Sequence, residues 1–118
     1  YHAFLQTGQW PDGTILMMDM YTSGTEGSIN KGGHYQLENM GGFEAHVKDT
    51  SRPGDTWKFY GFEAKDDDAA ARPNGNDCTQ CHVKNGGVEA TFVQFYPTLL
   101  PVARAKGTLR PGTDVATK

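Results

Sequence analysis

Apolar and polar residues alternate along the first half of the chain with the period of strands. After a Pro11-Asp12-Gly13 turn, residues 14–22 form an apolar-rich run that lacks helical spacing. A strand is predicted there, with Leu16, Met18 and Met20 on one face and Ile15, Met17 and Tyr21 on the other. Residues 23–33, SGTEGSINKGG, are a polar, glycine-rich loop. HYQLENM and FEAHVKD then alternate on either side of the Gly41-Gly42 pair. In the second of these, Phe43, Ala45 and Val47 are expected to point one way, and Glu44, His46 and Lys48 the other. The turn SRPGDT leads into WKFYGFEA, a strand with aromatic residues on both faces. Four consecutive strands joined by short turns predict an antiparallel sheet.

The pattern changes after residue 64. Aspartates at 66–68 followed by alanines at 69–71 predict one short helical turn with its acids at the N-terminus, broken by Pro73 and the Asn74-Gly75 pair. KNGG at 84–87 reads as a loop and ATFVQFY as a further apolar run. PTLLPVARAKG predicts a short helix that starts near Pro97 or Pro101 and ends at Gly107. The remainder, TLRPGTDVATK, reads as a loose tail, above all residues 113–118. The fold class is therefore α+β, mainly antiparallel β-sheet with short helices, and 118 residues suffice for a single domain.

Composition adds one question. Only 36% of the residues are hydrophobic and 15 are glycine, a thin apolar supply that leaves room for something other than side chains to complete the interior. The formal net charge of −3, with no basic stripe, argues against nucleic acid as a partner. Residues 1–82 carry 6 basic and 12 acidic groups and residues 83–118 carry 5 and 2, so the C-terminal third is mildly cationic. That suits an anionic ligand or an ordinary solvated surface equally. No stretch is long and apolar enough to predict a membrane span. The opening YHAFLQTGQW shows neither a basic leader nor an apolar run, as expected of a trimmed, mature product.

The two cysteines of the chain fall together in DCTQCH, where Cys78, Cys81 and His82 form C-x-x-C-H, the attachment signature of c-type haem. Two thiols three residues apart can each add to one of the two vinyl groups along a porphyrin edge. The adjacent imidazole is then held beneath the ring, within reach of the iron. A thioredoxin-type pair would need a strand-to-helix context, but this pair follows a Gly/Pro loop. A zinc site would need four ligands, and His2, His34 and His46 stand at no metal-binding spacing. A disulfide closing so short a loop would stabilise little. One haem c, covalent through Cys78 and Cys81 with His82 on the iron, is the expected cofactor. Thioether formation takes place beyond the bacterial inner membrane, so the expected address is the periplasm.

The motif lies late and no methionine follows it; Met17, Met18, Met20 and Met40 all precede it. This differs from small electron-transfer cytochromes, in which an early motif is followed by a methionine ligand. The strand-rich first half, and the break in HVKNGGVEA, also exclude a four-helix bundle.

The stretches WPDGTILMMDMY, FEAHVKDTSRPGDTWKFYGFEA, CTQCH and TFVQFYPTLLP together resemble the cytochrome P-460 and cytochrome c′-beta family, over residues 1–101. The resemblance implies a β-rich homodimer with one covalent haem per chain, His82 as the proximal ligand, and a distal face open to a small molecule. It also implies one of two activities. Cytochromes P-460 oxidise hydroxylamine and carry a lysine cross-linked to a haem meso carbon. The c′-beta proteins lack the cross-link, cap the distal pocket with apolar aromatics, and bind nitric oxide and similar gases. TILMMDMY holds no lysine, Lys31 falls in a loop, and Lys48 and Lys58 read as solvent-facing strand residues, which favours the second kind. The hydroxylamine-oxidising members also use a carboxylate just downstream of the haem histidine. Here Lys84, Asn85, Gly86 and Gly87 fill that stretch, and Glu89 is the first acid, a proton relay in one reading and a surface residue in the other.

For the distal wall the candidates are aromatic and Met side chains of the predicted strands, Met18, Met20, Phe43, Phe59 and Phe62, each of which would otherwise be plain core. An apolar cap of this kind excludes water and anions while admitting neutral diatomics. Met18 or Met20 could instead coordinate iron, giving a six-coordinate electron carrier that exchanges electrons with a redox partner protein. His34 and His46 fall on predicted polar faces and are the weaker ligand candidates. Arg52 and Arg104 suit the haem propionates, with solvent exposure as the plain alternative.

Overall fold

A computed structural model describes residues 1–27, 29–30 and 32–115. The chain forms a short helix α1 (His2–Thr7), three strands β1 (Ile15–Gly24), β2 (Tyr35–Lys48) and β3 (Trp57–Glu63), then helix α2 (Asp77–Asn85), a 3-10 turn at Val93–Phe95, and helix α3 (Leu100–Lys106). The strands make one antiparallel sheet in the order β1-β2-β3.

Among the described residues the expected four strands are three, because β2 runs unbroken through Gly41-Gly42. Met20 pairs with Gly42 and Tyr21 with Met40, so Gly41 is an extra residue absorbed as a bulge. Gly42 takes φ 153°, and a Cβ there would lie 2.3 Å from the Phe62 carbonyl oxygen, so only glycine lets β3 approach this closely.

Elsewhere the aspartate-alanine segment does not form its predicted helical turn. Asp66 instead closes a turn at the end of β3: its carboxylate accepts from Glu63 N at 2.9 Å and its own N donates to Glu63 O at 3.0 Å. Such local side-chain bonds compete with helix formation. The sequence pattern gives no sign of helix α1, whereas α3 ends at Gly107 as the pattern predicts. The apolar run after the motif is a bridge and a 3-10 turn.

The core lies at one end of the sheet. Phe4, Trp10, Trp57, Phe59, Val88, Ala90, Val93 and Ala103 are buried together, with Leu16, Cys78, Leu99, Val102 and Leu109 packed against them. The Phe4 and Trp10 rings sit 4.3 Å apart. Full burial of a Val or Phe side chain such as Val88 or Phe4 contributes about 1.5–3 kcal/mol of transfer free energy. Gly8, left-handed at φ 73°, lets α1 end against α3: a Cβ there would sit 2.7 Å from Lys106 Cβ, and Thr108 Oγ1 donates to Gly8 O at 2.8 Å.

The segment read as a loose tail is held from its start. Arg110 N donates to Gly87 O at 2.7 Å, and Arg104 Nε donates to Asp114 Oδ2 at 2.7 Å. Residues 116–118 lie outside the described residues. In contrast to the packed end, the outer half of the β1–β2 hairpin stays bare, leaving Met20, Tyr21 and Tyr35 exposed.

Candidate haem site

Both cysteines and His82 lie on α2, which starts where Asn76 caps it by accepting from Thr79 N at 3.2 Å. The motif is thus helical rather than a bare turn. At its other end the helix is closed by a residue far away in the chain: Arg110 Nη1 donates to Val83 O at 2.8 Å and its Nη2 to Lys84 O. A cation on the last carbonyls of a helix complements its dipole. Sequence reasoning missed Arg110, and no local signal marks it.

Cys78 is half-buried against the core, Cys81 is exposed, and both thiols are free. Val83, on the same helix, is 57% exposed although apolar. His82 turns inward, its ring packed among His46 (centroids 4.6 Å apart), Phe59 (4.9 Å) and Phe92 (4.4 Å). His82 Nδ1 lies 2.9 Å from Ala90 O. A carbonyl oxygen only accepts, so Nδ1 carries the proton and Nε2 keeps its lone pair for a metal.

Ala90 sits in a tight loop folded back on the end of α2. Val88 and Thr91 pair through Thr91 N to Val88 O at 3.0 Å and Val88 N to Thr91 O at 3.3 Å. Gly86 makes this approach possible, since a Cβ there would come within 2.8 Å of His82 O and Thr91 N and 2.7 Å of Glu89 O. The KNGG stretch therefore positions the histidine as well as ending its helix.

A cleft of ≈ 220 Å³ opens beside the His82 ring, with Met18, Leu16, His46, Phe92 and Tyr96 among its walls. Of the predicted distal residues, Phe59 is buried against His46 and His82, and Met18 lines this cleft. Met20 lies two residues further along the same strand and is exposed.

Phe43 and Phe62 are elsewhere. They pair across β2 and β3 and stack with centroids 4.4 Å apart. Each is three residues from a member of the His46–Phe59 pair, in a register without a bulge, so strand alternation puts them on the opposite face of the sheet. The same alternation corrects the reading of His46. It stands on the inner face with Leu16 and Phe59, and its Nε2 is buried without a protein hydrogen-bond partner. Burial, and then the neighbouring His82, lower the His46 pKa to about 4. His34 remains on the exposed hairpin loop, with Nδ1 3.5 Å from Ser23 Oγ.

Charged side chains expected at the surface are engaged. Lys58 is 7% exposed, and its Nζ donates to Pro53 O and Asn74 Oδ1, both at 3.2 Å. Lys48 Nζ donates to Trp10 O at 2.6 Å and meets Glu89 Oε1 at 2.7 Å. Glu89 Oε2 accepts from Trp57 Nε1 at 3.0 Å. Lys48, Trp57 and Glu89 line a separate cleft of ≈ 800 Å³ that His82 does not border. Neither predicted propionate partner is free: Arg52 Nε pairs with Asp49 at 3.0 Å and Arg104 with Asp114. Lys31 lies outside the described residues.

These residues fit a haem. Two free thiols on one helix flank an imidazole whose Nδ1 is already used, and an apolar cleft opens beside the ring where a further buried nitrogen, His46 Nε2, has no partner. A family model described as Cytochrome P460 matches residues 1–93. A comparison with curated proteins found no match. Family match and site chemistry agree: the chain belongs to the cytochrome P460 family and is a haem c cytochrome.

Proposed function

We propose that this chain is a periplasmic, mono-haem cytochrome that binds small nitrogen-oxide gases such as nitric oxide in an apolar distal pocket. Cys78 and Cys81 would hold the single haem covalently, and His82 Nε2 would ligate its iron from the proximal side. When bound, the haem supplies an iron centre able to take a diatomic ligand. The protein's own part is to orient His82 through Ala90 O, to keep water from the iron, and to offer no charged group to the ligand.

One observation carries the preference for gas binding over hydroxylamine oxidation. Among the described residues, no lysine lines the cleft beside His82, and both strand lysines have their ammonium groups bonded elsewhere. A neutral apolar wall discriminates by excluding charge, since burying an unpaired charge is costly. The bare hairpin supports a homodimer: β1 is an edge strand with Ile15, Met17 and Tyr21 exposed, and pairing with a second copy would cover it.

Absorption spectra of the purified protein, ferric and ferrous, with and without nitric oxide, together with its intact mass, test this reading. A mass of chain plus one haem and a ferrous spectrum altered by the gas are expected. A further loss of hydrogens, with haem retained after thioether cleavage, would mean a lysine cross-link and the hydroxylamine-oxidising activity. A ferrous spectrum unmoved by the gas would mean that Met18 or another side chain closes the sixth position, as in an electron carrier.

A further inference from the structure

Glu89 is the one non-glycine residue with positive φ among those described, at 52°. That region is sterically unfavourable for a side-chain-bearing residue and natural for glycine. What glycine could not provide is the carboxylate, which receives Lys48 on one oxygen at 2.7 Å and Trp57 Nε1 on the other at 3.0 Å. The Lys48 and Glu89 side chains are only 13% and 29% exposed, so the pair is partly withdrawn from water.

The loop is held on its other side too. Thr91 Oγ1 accepts from Trp10 Nε1 at 3.0 Å and donates to Val88 O at 2.7 Å. Ala90 thus sits between two anchored neighbours, and its carbonyl oxygen is the group that accepts the hydrogen bond from His82 Nδ1–H. Ala90 is buried, so this hydrogen bond is shielded from competing water.

We propose that Glu89 is a positioning residue for the proximal histidine: clamped by Lys48 and Trp57, it aims the Ala90 carbonyl at His82 Nδ1 and thereby sets how electron-rich Nε2 is. The proposal rests on the reading of His82 as the iron ligand. A firm Nδ1–H···O bond gives the imidazole more anionic character, which strengthens its bond to iron and favours the ferric state. A slack bond does the reverse. Glu89 touches neither haem nor ligand in this role.

The test uses haem-loaded protein and three variants: Glu89→Ala, Glu89→Gln and Trp57→Phe. Leu100→Ala in α3 is the control, since it destabilises the fold away from this loop. The readouts are the iron–histidine stretching frequency of the ferrous protein and the midpoint potential. In Glu89→Ala the stretch should fall and the potential rise. Glu89→Gln should shift both in the same direction by less, because the amide oxygen can still accept from Trp57 or Lys48. Trp57→Phe removes one of the two clamps and should also fall between, which keeps the test decisive if Glu89→Ala does not fold. Leu100→Ala should lower the melting temperature and move neither readout.

Unchanged stretch and potential in haem-loaded Glu89 and Trp57 variants would overturn the proposal and leave Glu89 a purely structural clamp. A wild-type protein without haem, or an iron–histidine stretch that survives His82→Ala, would overturn the underlying assignment of His82 as well.

Discussion

The imidazole rings of His46 and His82 meet edge to face, centroids 4.6 Å apart, although β2 carries one and α2 the other. His46 Nε2 is buried there without a protein partner. Replacing an unsatisfied buried polar group by an apolar one of similar shape is nearly neutral or stabilising. His46→Phe should therefore keep or raise the melting temperature, by the equivalent of up to about 1 kcal/mol. Thermal unfolding followed by circular dichroism checks this; a clear loss of stability would show that Nε2 has an essential partner in the loaded protein.

Attachment should depend on both thiols. Cys78→Ala and Cys81→Ala should each leave one possible thioether, and the double variant none. Haem staining after denaturing electrophoresis should weaken in the single variants and vanish in the double. Cys81 is exposed whereas Cys78 packs against the core, so Cys78→Ala should also lower stability more than Cys81→Ala.

The α2 cap is a separate, local contribution. Asn76→Ala removes the acceptor for Thr79 N and should cost about 1 kcal/mol of unfolding free energy. Denaturant titration should show a lower midpoint with an unchanged slope.

Gly42→Ala should be among the most damaging single changes. The added Cβ would sit 2.3 Å from Phe62 O, so the β2–β3 pairing must open or the strand must shift. Backbone strain of this kind costs on the order of 1–3 kcal/mol before any loss of pairing. Amide exchange should speed up first around Phe43 and Phe62, the neighbouring pair in the register.

Acid should weaken the turn between β2 and β3. The Ser51 hydroxyl is the main cause that holds the Asp49 carboxyl below its ordinary value; burial opposes it, and the Ser51 backbone N–H and the Arg52 and Lys58 charges add to the lowering. The folded pKa is thus lower than the unfolded one. The contribution is complete above the ordinary carboxylate range and disappears as pH falls through the depressed folded value. Ser51→Ala should raise the Asp49 titration midpoint, read by carboxyl carbon NMR, and flatten that part of the acid limb.

The chemistry was legible because it is local. C-x-x-C-H points to a haem c cofactor within five residues, and that reading agrees with the family match. The strand at 57–63, the strand after the Pro11 turn and the helix ending at Gly107 were legible for the same reason: alternation and turn residues act within a few positions. The Asp66 segment reads as a helix start in sequence but forms a turn, because a side-chain turn and a helix start draw on the same residue types.

Facing and closure were decided by the tertiary structure. One apolar stripe on a strand looks like another, so sequence could not distinguish Phe59, packed on His82, from Phe62, which stacks on Phe43 across the opposite face. His46 is drawn to the inner side by the register of β2 against β3, despite a polar character that suggested the outer one. Arg110 on the end of α2, and Lys48 with Trp57 on Glu89, join residues distant in the chain. The sequence by itself determined which chemistry the chain is equipped for, because a covalent motif is a short-range pattern. Which groups surround that chemistry depended on strand register and loop packing, which arise only when distant segments come together.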